Sequence, residues 1–563
     1  MIKIGDFELH KYTLVPIFLG FTSAIAVALM IQLYNVFNYI FQTIIAHFSY
    51  HLIICFPLLG LTISFTLNHF FAKHKEDGCG TDLMIESYHH RNGIIEIKDV
   101  LVKTFSSTIT LGFGGSGGLE GPSLLLGGGV SSYILQKLRL KPKEIKLLYL
   151  CGASAGFTAL FKAPLTGILL ALEIPYKKDL EKDAFIPAAL SSISAYIFSV
   201  LFFGGESIFS TRINVEISTN LLFHTIFLGI ITSILAIVFI KVLDNTKTLI
   251  QIIGSKLNIL LSVMVGGIII GLIGFFYPQV LGIGYEIIRE SSNVSNYNIT
   301  IQALFTLLVL KIITTSLTIA SKGSVGLFIP SLYIGGICGL IYAKIFGLTP
   351  ESLFAIIAMG SILAAASKSL LTGIAFVTET IGSSPIMYVV LSASISYFIT
   401  GNYSFYESQL NKKPSSKMEA LLELEEIFRK SQIPNLNISS LKLKKPVCFK
   451  ADTTIKEALK TVRANVYRIY PIVNNKNQII GSICIESIFA IERDKWNMPV
   501  SNLEMKKPLI ATKEQTLIEI VERMLEIEED HVFIVNDSED RIIEGVITAI
   551  DIIKIYVEEI TNV

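Results

Sequence analysis

Charge is what this 563-residue chain has least of. Asp, Glu, Lys and Arg make up 17% of it and hydrophobic residues 51%, whereas a soluble globular domain usually carries about 25% charged residues. Residues 13–72 contain none of the four, and further charge-free runs occupy 217–240, 257–285, 291–310 and 380–406. A run of roughly 20 apolar residues is the length that crosses a bilayer as a helix, so the first region predicts two spans. The net charge is only +1, which lacks the basic footprint of a nucleic-acid partner. Cys55, Cys79, Cys151, Cys338, Cys448 and Cys484 are scattered without a C-x-x-C pair, which argues against a disulfide framework. Tryptophan occurs once, at Trp496. The opening "MIKIGDFELHKY" has mixed charge and runs straight into apolar sequence, unlike a cleaved signal peptide.

The apolar segments 104–136, 148–172 and 324–367 are interrupted by Gly, Pro and single charges. They predict half-helices that stop inside the membrane, where irregular backbone is tolerated if it lines a cavity. One of them, "GSGGLEGPSLLLGGG" (115–129), places the lone carboxylate Glu120 among glycines. A carboxylate at membrane depth costs several kcal/mol and reads as functional by default. The basic loop "KLRLKPKEIK" (137–146) predicts a cytoplasmic edge. Composition then changes near 411. The expected organisation is a membrane region over 1–410, a charged linker over 411–437, and two soluble α/β units over 438–498 and 499–563.

Both regions repeat internally. "GLEGPSLLLGG" (118–128) matches "GLFIPSLYIGG" (326–336), and "KAPLTGILLALE" (162–173) matches "KSLLTGIAFVTE" (368–379) in the same order. Repeats of broken helices are typical of transporters with a binding site between the repeats. In the tail, "KKPVCFKADTTIKEAL" (444–459) matches "KKPLIATKEQTLIEIV" (506–521), and each unit reads strand–helix–strand–strand–helix.

With these motifs in order, the chain resembles the CLC chloride channels and proton/chloride exchangers. Their patterns G-[KR]-E-G-P and G-x-F-x-P find counterparts in "GLEGP" and "GLFIP". Their G-S-G-x-P falls at "DGCGTD" (77–82), and their inner tyrosine motif falls at "SFYESQL" (404–410). The tail resembles the paired CBS domains that many CLC proteins carry. The resemblance implies a mainly α-helical polytopic membrane protein built of two internal repeats with broken helices, plus a cytoplasmic α/β CBS pair. It also implies a homodimer in a plasma or inner membrane, with one chloride or related-anion pathway per subunit and no required cofactor.

The same resemblance assigns roles. Glu120 is the gating glutamate, able to stand in for the anion at a helix end. Helix N-termini suit this task, because their unpaired N–H groups hold an anion without the grip of a full cation. Gly118, Leu119, Gly121, Gly326, Leu327, Phe328 and Ile329 form those ends, Tyr406 is the hydroxyl facing the anion from the inner side, and Lys103 adds positive potential along the path. Each motif has a plainer alternative: loop punctuation for the glycines, an interface anchor for Tyr406, a snorkelling side chain for Lys103.

Three positions depart from the pattern. Cys79 replaces the coordinating serine with a weaker donor, which opens the question of anion preference. A metal set of Cys79, Asp82, His89 and His90 fits no standard zinc spacing, so no metal is expected. Leu119 replaces a basic residue, and one outer positive charge is lost. Ile174 stands where exchangers commonly carry the inner proton-transferring acid. Isoleucine cannot titrate, which favours a channel over an exchanger, and the neighbouring Glu173 reads as structural. A membrane-bound nucleotide sensor without transport is the more distant alternative, and no enzyme site is visible.

In the tail, "GVITAID" (545–551) keeps the G-h-h-[ST]-x-x-D ribose pattern through Thr548 and Asp551. Cys484 and Ser487 hold those places in the first unit, so one adenine-nucleotide site (ATP, ADP or AMP) is expected and the second is weakened. A purely structural dimerisation module is the alternative.

Overall fold

The computed structural model of the chain describes residues 3–4, 7–8, 10–73, 80–205, 218–256, 258–292, 299–381, 385–413, 421–422, 437–440, 443–464, 469–489, 491, 496–527, 529–537 and 539–561. It divides into two compact units, Met1–Lys413 and Pro414–Val563.

The first unit, after a short hairpin of β1 (Lys3–Ile4) and β2 (Phe7–Glu8), holds two successive sets of eight helices. The first set is α1 (Val15–His47), α2 (Cys55–Phe71), α3 (Gly80–His90), α4 (Ile97–Gly112), α5 (Glu120–Lys137), α6 (Pro142–Phe161), α7 (Pro164–Glu173) and α8 (Phe185–Phe203). The second is α9 (Thr219–Lys256), α10 (Ile259–Phe276), α11 (Tyr285–Ser292), α12 (Ile301–Ala320), α13 (Phe328–Phe346), α14 (Glu351–Ser367), α15 (Leu370–Thr380) and α16 (Ile386–Thr400). Eight of the described helices are long and apolar enough to cross a membrane, two of them from the charge-free region 13–72.

The Gly-broken segments differ from expectation in one respect. Rather than short pieces, α6 and α13 run 20 and 19 residues, while α7 and α15 have 10 and 11. The glycines serve packing. A Cβ on Gly127 of α5 would lie 2.2 Å from the Gly152 carbonyl oxygen of α6, and one on Gly339 of α13 would lie 2.1 Å from that of Phe354 in α14. Both helix pairs thus touch backbone to backbone, the close approach that small residues permit between membrane helices.

Side-chain pairs show how the two sets are related. Ser107 Oγ donates to Ser324 Oγ at 2.9 Å, and Ser116 Oγ lies 2.9 Å from Thr315 Oγ1. Moving each residue to its counterpart in the other repeat converts one pair into the other. Glu173, at the end of α7, accepts the N–H groups of Leu371 (3.0 Å) and Thr372 (2.8 Å) and the Thr372 hydroxyl (2.7 Å) at the start of α15. Glu379, at the end of α15, accepts those of Leu165 (2.8 Å) and Thr166 (2.7 Å) and the Thr166 hydroxyl (2.6 Å) at the start of α7. Such exchange of partners is the mark of a half-turn between repeats. Its axis passes near the antiparallel bridge between Gly118 and Gly326, where each N–H donates to the other's carbonyl at 3.0 and 2.8 Å.

The second unit contains two α/β pieces. The first is β3 (Phe449–Lys450), α17 (Ile455–Ala464), β4 (Ile469–Val473), β5 (Ile479–Cys484) and α18 (Ile485–Phe489). The second is β6 (Ile510–Thr512), α19 (Leu517–Ile527), β7 (His531–Val535), β8 (Ile543–Thr548) and α20 (Ala549–Thr561). Each makes a three-stranded sheet with one parallel and one antiparallel pairing. The segments ahead of them cross over: Lys444 bridges to Val546 of β8, and Lys506 bridges to Ser482 of β5. Nearly all of the charged linker lies outside the described residues.

Candidate functional site

The half-turn brings the two Gly-Pro motifs together. Leu119 and Leu327 precede the first residues of α5 and α13, which are Glu120 and Phe328. Glu120 is 1% exposed. Its Oε1 accepts the Phe328 N–H at 2.6 Å, so the acid of one repeat closes the helix end of the other. Its Oε2 makes no hydrogen bond among the described residues. The carboxylate rests over two bare glycines: a Cβ on Gly118 would lie 1.9 Å from Oε2, and one on Gly326 2.1 Å from Oε1. That spot is flanked by two helix N-termini, whose unpaired donors are of the kind that suits a small anion. Phe328 itself is fixed. Its ring packs against Phe157, Phe161 and Phe376 at centroid distances of 5.1, 5.8 and 4.9 Å.

Two further elements converge here. A Cβ on Gly80, the first residue of α3, would meet the Gly121 carbonyl oxygen at 2.9 Å. Asp82 of α3 accepts the Ser408 N–H at 3.1 Å, which ties the start of α3 to the segment bearing the buried Tyr406. Cys79 lies outside the described residues. His89 does not join Asp82; its Nε2 donates to the Pro175 carbonyl at 2.8 Å. Ile329 and Ile174 are fully buried. The Ile174 carbonyl receives Gln409 Nε2 at 2.8 Å, so the 404–410 segment also runs beside the position where no acid stands. Lys103 is buried in α4.

In the second unit a cleft of about 340 Å³ is lined by Lys444, Lys445, Asp530, His531, Thr548 and Asp551, among others. This is the size of a small-ligand site. Asp551 Oδ2 accepts the Thr548 hydroxyl (2.7 Å) and N–H (3.1 Å), and Oδ1 accepts Lys444 Nζ at 2.5 Å. Burial raises the affinity of Asp551 for a proton, but the bonds from Lys444 and Thr548 outweigh it and hold this carboxyl below its ordinary range. Ser487, the counterpart in α18, has no carboxylate to offer.

The family model for the voltage gated chloride channel matches residues 59–401, and the CBS domain matches 438–493 and 500–558. The chain belongs to the CLC family. An uncharacterized protein of Methanocaldococcus jannaschii is 25% identical over 323 residues, 57% of this chain and 80% of that one. A CLC-type fluoride/proton antiporter superposes with a TM-score of 0.64 at 23% identity, covering 73% of this chain and 100% of that one. A slow cyanobacterial Cl−/H+ antiporter follows at 0.61 and 20%, covering 69% and 94%. A eukaryotic CLC transporter gives 0.61 at 15% over 96% of this chain and 98% of that one. This CLC protein is therefore an anion transporter of the membrane with a C-terminal CBS pair.

Two groups at the junction escape a motif search. Lys311 of α12 is fully buried, donates to the carbonyls of Val280 (3.1 Å) and Gly282 (3.0 Å), and lies 5.0 Å from the Tyr333 ring centre. It occupies the same place before Phe328 that Lys103 occupies before Glu120, so applying the repeat to Lys103 would have found it. Glu379 reads in sequence as a helix-end acid, and only the half-turn shows that it holds α7.

Proposed function

We propose that this CLC protein conducts chloride or a related anion by one pathway per subunit of a homodimer, with Glu120 as the gate. The observation that carries the reading is the Glu120 carboxylate seated on Gly118 and Gly326 and bonded to the Phe328 N–H. An anion and this carboxylate compete for one seat. Protonation weakens the carboxylate's hold on the N–H, and an anion can then take its place. Leu119, Gly121, Leu327 and Ile329 supply the surrounding helix ends, and Tyr406 with Cys79 serves the inner side. Lys103 adds positive potential, and the tail faces the cytoplasm.

Ile174 supports passive conduction, since it offers no onward step for a proton taken up by Glu120. Glu173 does not replace that step, because its oxygens are engaged by Leu371 and Thr372. The second reading is a proton-coupled exchanger, the activity named for two of the structural neighbours. Reconstitution in liposomes under a chloride gradient, with anion efflux and internal pH followed together, separates them. We expect efflux without uphill proton movement, and faster efflux with less pH dependence in Glu120→Gln. Uphill proton movement would replace the channel reading with the exchanger, and absence of any anion flux would sink both. Nitrate, bromide and fluoride in the same assay test selectivity.

We further propose that the CBS cleft binds an adenine nucleotide, with Asp551 and Thr548 at the ribose, and that this regulates transport. Calorimetric binding of ATP or AMP to the purified protein, lost in Asp551→Ala, is the expected result.

A further inference from the structure

The two oxygens of Asp551 have different obligations. Oδ2 belongs to its own helix: it accepts the Thr548 N–H and hydroxyl, while the Asp551 N–H reaches back to Thr548 Oγ1 at 3.4 Å. This is a reciprocal cap at the start of α20. Only Oδ1 remains for a ribose hydroxyl, and Oδ1 is the oxygen that Lys444 takes at 2.5 Å. A ribose that reaches Asp551 must therefore displace Lys444.

The displaced ammonium cannot leave. Its main chain is fixed on β8, where Val546 N–H donates to the Lys444 carbonyl at 2.9 Å, so Nζ stays at the mouth of the cleft. The side chain is about two-thirds exposed. A neutral nucleoside would break the Asp551–Lys444 ion pair and bring no anion to replace it. A nucleotide brings its own anion, and lysine binds phosphate well as a compact point charge. The cleft's acid Asp530 is engaged with the His531 ring at 3.1 Å. Lys445 is the other cation lining the cleft.

We propose that Lys444 is a phosphate-reading lock, which yields Asp551 Oδ1 to the ribose and passes to the phosphate, so that the cleft selects phosphorylated adenine nucleotides over the nucleoside. The inference rests on the nucleotide reading above and adds the residue that sets its specificity. It also explains the asymmetry of the pair. Lys506 is held on β5 in the matching way, with 2.9 and 3.0 Å bonds to Ser482, but it has Ser487 rather than an acid to lock.

The test is calorimetric titration of the full-length protein with AMP, ATP and adenosine. AMP is expected to bind about tenfold or more tighter than adenosine, the weight of one charge-assisted hydrogen bond. In Lys444→Met that ratio should shrink to about threefold or less, with adenosine binding as well as or better than in the wild type. Lys506→Met should leave the ratio unchanged. A ratio preserved in Lys444→Met, or one abolished by Lys445→Met instead, overturns the assignment. So does equal binding of AMP and adenosine by the wild type. Failure of all three ligands to bind overturns the nucleotide reading itself, which the other outcomes leave standing.

Discussion

At the same position the two repeats carry residues of opposite character. The first places Glu120 at the start of α5, bonded through one oxygen, while the other makes no hydrogen bond among the described residues. The second places Phe328 at the start of α13, wedged among three aromatic rings. The half-turn supplies two equivalent helix ends, and the substitution makes them unequal: one end carries a carboxylate, the other offers it a backbone N–H. The gating role proposed for Glu120 depends on that inequality. Two acids would repel each other across one seat, and two phenylalanines would leave nothing to move.

The largest expected effect comes from filling the seat. In Gly326→Ala the new methyl would lie 2.1 Å from Glu120 Oε1 and 2.8 Å from the Gly121 nitrogen. The flexible carboxylate can retreat, but the α5 backbone can yield only as a helix end, and the methyl then fills the seat proposed for the anion. Anion flux in liposomes should fall about tenfold or more, since contacts this short must be relieved by moving the helix ends apart. Adding Glu120→Gln should not restore it. Full recovery in the double variant would mean that the glycine serves the carboxylate alone and not the anion.

Next in size is the pair of crossed caps. Glu173 and Glu379 each accept two N–H groups and a threonine hydroxyl from the opposite repeat. Glutamine at either place keeps one acceptor and turns an amide group toward donors, leaving an N–H unpaired at a cost of about 1–3 kcal/mol. The loss should be larger at Glu173, which is buried, than at Glu379, which is half-buried. Thermal denaturation in detergent checks the order. Equal losses would show that burial does not separate the two caps.

A smaller effect separates the two lysines. Lys311 holds the carbonyls of Val280 and Gly282, so Lys311→Met should lower both stability and flux. Lys103→Met should reduce flux severalfold through the lost potential. Flux and melting temperature measured on both variants distinguish the roles, and an equal loss of stability in each would remove the distinction.

Much of this arrangement is visible in the chain itself. Glu120 and Phe328 stand out because Gly and Pro punctuate both copies of one motif, and the tail's strand–helix order follows from its alternation. Other features depend on geometry that a linear reading lacks. Gly127 and Gly339 look like helix breakers, but in membrane packing they are contact points, and the helices that carry them, α5 and α13, run 18 and 19 residues. The charge-free run 380–406 is longer than a span requires, yet the helix described within it is Ile386–Thr400 and ends at Gly401, whose φ is +61°. The crossed partners of Glu173 and Glu379 appear only once the half-turn is known, because sequence gives the repeat and not its operation.

The tail offers the smallest and most specific test of asymmetry between repeated units. Asp551 is held below its ordinary range by Lys444 and Thr548 in spite of partial burial. A carboxyl depressed in the folded state stabilises it in full above the unfolded value of about 3.9, and that contribution is lost as pH falls through the lower folded value. Trp496, the only tryptophan, packs in the first CBS piece with its ring N–H on the Ile491 carbonyl at 3.3 Å, so its fluorescence follows unfolding of the tail. Wild type should be the more stable at about pH 6, and its advantage over Asp551→Asn should shrink progressively as pH falls below about 3.9. Ser487→Ala, the matching change in the first piece, should show no such acid dependence, because no carboxyl titrates there. An advantage of Asp551 that survived acid would mean that the cap geometry and not the charge is what stabilises α20.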